Sequence, residues 1–218
     1  AASATRVERF FAETFHATHA LLALFVLTNI DVLLARALLP AYQAGEYGVG
    51  AVIAKVAFWL PQFVGVVAFP RFADSRRLRA TTVSLAAVAV LGAVVVLVTA
   101  AIPGVVVGFV GGSAYEDLAP IAWMFAAIGA VFAIAQALLL TRLAVDDRRA
   151  VIAVWSAAAL LAALAWLVMP RTVAGLATAV LASGAALGLV GLGAFALEVR
   201  RGRHSVTTAS GSGHAPGA

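Results

Sequence analysis

The sequence predicts an all-α polytopic membrane protein: a bundle of six transmembrane helices with both termini in the cytoplasm. Three observations carry this expectation. Of 218 residues, 63% are hydrophobic and only 11% are charged, where soluble domains carry about 25% charged residues; the mean hydropathy is +1.03. Apolar runs long enough to span a bilayer, about 20 residues as helix, recur six times along the chain. Finally, the basic residues gather in every second connection between those runs, as the positive-inside rule requires.

The elements follow in order. Residues 1–16 place Val7, Phe10, Phe11 and Phe15 on one helical face, with Arg6, Glu8, Arg9 and Glu13 around the rest. Thr5 and Glu8 have capping-box spacing. This reads as an amphipathic helix on the cytoplasmic surface, or as a linker that extends the first span. The spans fall at 17–39, 49–70, 82–110, 118–141, 150–169 and 173–197, and together make one transmembrane unit, 17–197. Pro40, Pro70 and Pro170 mark span ends, and Pro120 suits the first turn of the fourth helix. Pro61 and Pro103 lie inside apolar runs and should kink them. "MPRT" is short enough to force the fifth and sixth spans into an antiparallel hairpin. From 198 to 218 the composition shifts to Ser, Thr, Gly and Pro, which predicts a disordered cytoplasmic tail.

Orientation comes from the arginines. Arg6 and Arg9 precede the first span. Arg71, Arg76, Arg77 and Arg79 follow the second, Arg142, Arg148 and Arg149 the fourth, and Arg200, Arg201 and Arg203 the sixth. With alternating spans these share one side, while Arg171 and, near a helix end, Arg36 fall on the other. The scarcity of lysine, with Lys55 alone, and the wealth of Ala, Val and Gly point to a GC-rich bacterial genome, hence a bacterial cytoplasmic membrane.

Several chemistries have no residues to carry them. Cysteine is absent, which removes disulfide and thiol chemistry. His16 and His19 share a helix face but make no metal set by themselves. "GGSA" at 111–114 is not the GxSxG of a serine nucleophile. Asp146 and Asp147 sit beside Arg148 and Arg149 as a solvated turn. The expectation is therefore no enzyme, no catalytic residue, no metal, no cofactor and no nucleic-acid partner. The GxxxG spacings at Gly104/Gly108 and Gly184/Gly188 are read as close packing between helices of the same chain.

Charges inside the spans carry more. Asp31 and Arg36 lie in the first span and Lys55 in the second, with Gln62 and Gln136 as polar companions. Intramembrane ionisable groups face a bundle interior or a wet cavity. Asp31 and Arg36 are five apart and point to different sides of a helix. With outer span ends at 39 and 49 and a rise of 1.5 Å per residue, Asp31 lies about 12 Å deep and Lys55 about 9 Å deep. This predicts that the two face each other across the first hairpin. Lys55, Trp59 and Gln62 share a helical face, which should then be polar and turned to a cavity. The alternative has Lys55 and Arg36 snorkelling outward separately.

Residues 29–74 carry a resemblance. Asp31 in the first span, "AGEYG" at 44–48 and "FPRFAD" at 69–74 resemble the opening of the second lobe of oligosaccharide-lipid and polysaccharide flippases. These belong to the multidrug/oligosaccharidyl-lipid/polysaccharide exporter superfamily. "GGSAYEDLAP" at 111–120 is similar to the loop after that lobe's third helix. The resemblance implies two six-helix lobes around a central cavity that opens to each side in turn. It makes this chain a carboxy-terminal lobe, needing an N-terminal six-helix lobe from the same longer chain or from a partner; the opening Ala1, in place of Met, fits that expectation. It also implies that Asp31, Arg36, Lys55, Trp59 and Gln62 line the substrate cavity, where cationic groups suit the phosphates of a lipid-linked saccharide. Membrane lipid is the other expected contact. Two alternatives remain: a cation-coupled drug exporter of the same superfamily using Asp31, and a non-transporting membrane scaffold that buries its charges in pairs.

Overall fold

A computed structural model of the chain describes residues 14, 18, 19, 22, 23, 25–68, 77–143, 148–168 and 170–211. Within these, the side chains at 62, 64–68, 77–81, 140–143, 148–151 and 198–211 lie outside the description. Nearly all of the amphipathic 1–16 segment, the "FPRFAD" stretch and the "AVDD" connection also fall outside it.

The described residues are helical, with no strand among them. In order they form α1 (Ile30–Leu38), α2 (Ala41–Ala68), α3 (Arg77–Ala101), α4 (Pro103–Gly111), a 3-10 segment (Ser113–Ile121), α5 (Ala122–Leu143), α6 (Arg148–Ala163) and α7 (Val173–Gly211). A π-helical turn, Leu164–Val168, extends α6. Three stretches are long and apolar enough to cross a membrane: Thr82–Ala101, Ser113–Leu139 and Val173–Leu197. Ile152–Val168 is apolar but shorter.

Two predicted spans are interrupted. The first breaks at Thr28 and Asn29, just before α1. Thr28 Oγ1 and Asn29 Nδ2 both donate to the Phe25 carbonyl, at 3.2 and 2.8 Å, so side chains compete for a backbone acceptor that a continuing helix would use. The third breaks at Ile102, whose φ of −130° and ψ of 53° are not helical. Pro103 then opens α4 at the position where its missing N–H is harmless. Pro61, by contrast, is buried inside α2. The second helix also starts earlier than expected, at Ala41 directly after the Leu39–Pro40 turn. The backbone of α7 runs on past 197 to Gly211.

α5 is the central helix and packs against α2, α3 and α7. It is apolar around most of its circumference, with Phe125, Ala126, Ile128, Ala130, Phe132 and Leu139 all buried, as a helix surrounded by others must be. Small residues set its approach to α2. A Cβ on Gly129 would run into the Ala54 carbonyl oxygen and lie 2.7 Å from the Ala57 Cβ, so the two backbones touch there. Across the same contact, a Cβ on Gly50 would lie 2.5 Å from the Phe125 ring.

The GxxxG expectation needs correction. A Cβ at Gly104, Gly108 or Gly188 would meet nothing within 4 Å, whereas one at Gly184 would press on Phe132 at 3.2 Å. α4 is separated from α3 by the Pro103 break, and its Gly104/Gly108 face turns outward. The tight glycines at α5 instead sit singly: Gly129 on α5 against α2, and Gly50, Gly92 and Gly184 on the helices that pack against it.

Candidate functional site: a buried carboxyl beside an open cationic face

The break at Thr28–Asn29 places Asp31 in the first turn of α1. There the unpaired backbone N–H groups and the helix dipole favour negative charge. Asp31 is 6% exposed. Its Oδ2 accepts a hydrogen bond from Tyr47 Oη at 2.9 Å, while Oδ1 is buried with no hydrogen-bond partner among the described residues. Tyr47 is fully buried on α2 and packs edge-on against Phe125 of α5, centroids 5.2 Å apart at 74°. The carboxyl is thus held by a tyrosine that is itself pinned by the central helix.

The predicted Asp31–Lys55 contact is replaced by Asp31–Tyr47. Counting from the Leu39–Pro40 turn at 1.5 Å per residue, Asp31 lies about 12 Å deep, Tyr47 about 11 Å and Lys55 about 23 Å. Residues 41–48, which the sequence reading left as a connection, are the first two turns of α2. They carry Lys55 two turns too deep. Lys55 remains within electrostatic range of Asp31, but the two form no ion pair.

Lys55 lies halfway along α2, a helix of 28 residues, and is exposed. Around it on the open side are Val52, Val56, Trp59 and Phe63. Trp59 is half exposed and packs edge-on against Phe58, centroids 5.3 Å apart. Arg36 is exposed in the last turn of α1, where the negative end of the helix dipole suits it. Of the five predicted cavity residues, Asp31 is therefore buried, while Arg36, Lys55 and Trp59 are open. The side chain of Gln62 lies outside the description. Gln136 is half buried on α5.

The two motif stretches "AGEYG" and "GGSAYED" meet in space. Tyr42, one turn before Glu46, donates from Oη to the Ala114 carbonyl at 3.0 Å. Its ring stacks on that of Tyr115, centroids 5.9 Å apart and 19° from parallel. A Cβ on Gly45 would lie 3.0 Å from Tyr115 Oη, and one on Gly111 2.7 Å from Val49 Cγ1. The start of α2 and the 3-10 segment thus form one end of the bundle. Glu46 is buried there; burial first, and then the Asp117 charge, push its carboxyl above the usual range.

Sequence reasoning missed Tyr47 as the partner of Asp31, although it lies in the quoted "AGEYG" stretch. The available signal was that no proline lies between Ala41 and Val49, which lets a helix begin right after Pro40, although Gly45 and Gly48 read as turn residues. It also missed the break at "TN", the local signal being two adjacent residues that bond back to the backbone.

The fold and this site define an all-helical protein with helices apolar and long enough to cross a membrane. Comparison with known proteins gives no match to a family model, to a curated protein or to a solved structure.

Proposed function

We propose that the chain is one six-helix lobe of a flippase that moves lipid-linked oligosaccharide or polysaccharide precursors across a bacterial cytoplasmic membrane. Both termini face the cytoplasm, and a second lobe completes the cavity. The observation that carries this reading is Lys55: an exposed ammonium group halfway along an apolar helix, without an ion pair among the described residues. A charge at that depth is expensive against lipid and marks a face turned to water or to another protein wall. With Trp59 one turn further, the face combines a cationic group with a large apolar surface. That suits a ligand with a phosphate and a lipid tail. The break before Asp31 fits the same reading, because discontinuous spans in transporters border substrate or ion sites. Transport proceeds by alternating access, with no covalent chemistry.

The test is made in cells that depend on this protein. Its loss should leave lipid-linked saccharide on the cytoplasmic leaflet, out of reach of an externally added glycosidase. Re-expression of the Lys55→Ala protein should lower flux by about tenfold or more, the loss expected when one charge-assisted contact is removed. Unchanged saccharide distribution on loss of the protein rejects the reading.

A second reading, a cation-coupled exporter of the same superfamily, is favoured by one observation. Asp31 Oδ1 is buried and without a hydrogen-bond partner among the described residues, as a carboxyl that takes up a proton or a sodium ion would be. The scaffold reading calls for charges buried in pairs, and exposed Arg36 and Lys55 disfavour it.

A further inference from the structure

The 3-10 segment end of the bundle contains groups that the carrier reading does not use. Glu46 is 8% exposed and has no hydrogen-bond or ion-pair partner among the described residues. Asp117 lies close enough for its charge to act on the Glu46 carboxyl. The single proton of Tyr42 Oη points to the Ala114 carbonyl at 3.0 Å and reaches Asp117 Oδ2 only at 3.5 Å. Asp117 is exposed and has this one weak donor, whereas buried Glu46 has none among the described residues, and carboxylates need donors to satisfy their oxygens. Beside them lies a stacked aromatic pair whose outer member, Tyr42, is 52% exposed. Gly45 lets the Tyr115 ring lie close against α2.

We propose that Tyr42, Glu46, Tyr115 and Asp117 form a carbohydrate-binding site at the outer end of the bundle. The apolar C–H face of a pyranose ring lies on the open face of Tyr42, and neighbouring sugar hydroxyls donate to Glu46 and Asp117. A flat apolar face edged with several donors matches an aromatic platform edged with acceptors. A hard metal cation matches less well: no group of three His, Cys, Asp or Glu occurs among the described residues, and the Tyr42 hydroxyl is engaged as a donor. The physiological ligand, the saccharide part of a carried lipid, rests on the flippase reading; binding of sugar to this site does not.

The experiment uses the full chain in lipid nanodiscs, free of glycoside detergents. Saturation-transfer NMR is recorded with glucose, mannose and N-acetylglucosamine. At least one sugar should receive saturation at its ring protons. Asp117→Asn and Glu46→Gln, which keep side-chain size, should each weaken binding by about tenfold or more, as expected for loss of a charged acceptor. Tyr42→Ala should abolish it, while Tyr42→Phe, which preserves the platform, should retain it. Circular dichroism checks that each variant keeps its helix content. No transfer to any of the three sugars overturns the proposal, as does transfer that survives Asp117→Asn, Glu46→Gln and Tyr42→Ala. Calcium or sodium binding that Asp117→Asn removes, with no sugar binding, also overturns it and assigns a cation site instead. Sugar binding without any change in lipid-linked saccharide on loss of the protein leaves this site standing and removes the flippase reading; the reverse pattern does the opposite.

Discussion

Asp31 and Tyr47 show how much a single hydroxyl does in an apolar bundle. Among the described residues the carboxyl has one side-chain partner, and that partner is fully buried. Tyr47→Phe would remove the side-chain donor of a buried carboxyl, at a cost of about 1–3 kcal/mol. The expected result is a lower unfolding temperature for the protein in nanodiscs. Replacing both partners, Tyr47→Phe with Asp31→Leu, should recover much of that loss, because no orphaned polar group remains. A double variant less stable than Tyr47→Phe alone would show that the bond is not what anchors Asp31. In the cation-coupled reading the double variant is also inactive, which separates stability from function at this residue.

At the scale of the element, close approach to α5 governs helix packing. Gly129→Leu puts a side chain where the Ala54 backbone already lies, and overpacking of this kind costs about 1–3 kcal/mol or more. Gly104→Leu meets open space and should leave stability within about 0.5 kcal/mol, as surface substitutions do. Thermal unfolding of the two variants side by side distinguishes packing glycines from glycines that merely share the GxxxG spacing. A second element-level expectation concerns Gly112, the positive-φ residue that ends α4, with φ 75°. Its N–H donates to the Gly108 carbonyl at 3.0 Å. Gly112→Val should destabilise by about 1–2 kcal/mol, because a β-branched residue is strained in that conformation, and should loosen the 3-10 segment that carries Tyr115.

For the whole molecule, the question is which end faces which compartment. The chain has no cysteine, so single cysteines report position without background. Under the proposed orientation, Ser113→Cys, exposed in the 3-10 segment, should react with a membrane-impermeant maleimide in intact cells. Asp146→Cys should react only after permeabilisation. The reverse pattern would invert the orientation, and labelling of both in intact cells would undo the alternation of spans from which it comes.

Part of this architecture was legible in the chain. Composition and run length by themselves predict helices long and apolar enough to cross a membrane, because in lipid every backbone polar group must be satisfied within its own segment, and three such helices occur among the described residues. Proline chemistry is equally local, and Pro103 marks the third-span break because its ring and missing N–H act on its own backbone whatever surrounds it. The contacts of the charges were not legible. The depth of Lys55 depends on where α2 starts, and the residues at that start, Tyr42 and Gly45, pack on Ala114 and Tyr115, some 70 residues away. A shift of two helical turns moved Lys55 away from Asp31 and brought Tyr47 in. Sequence spacing specifies direction around a helix but not register between helices. Register is settled only when the side chains and glycines of separate segments pack against one another.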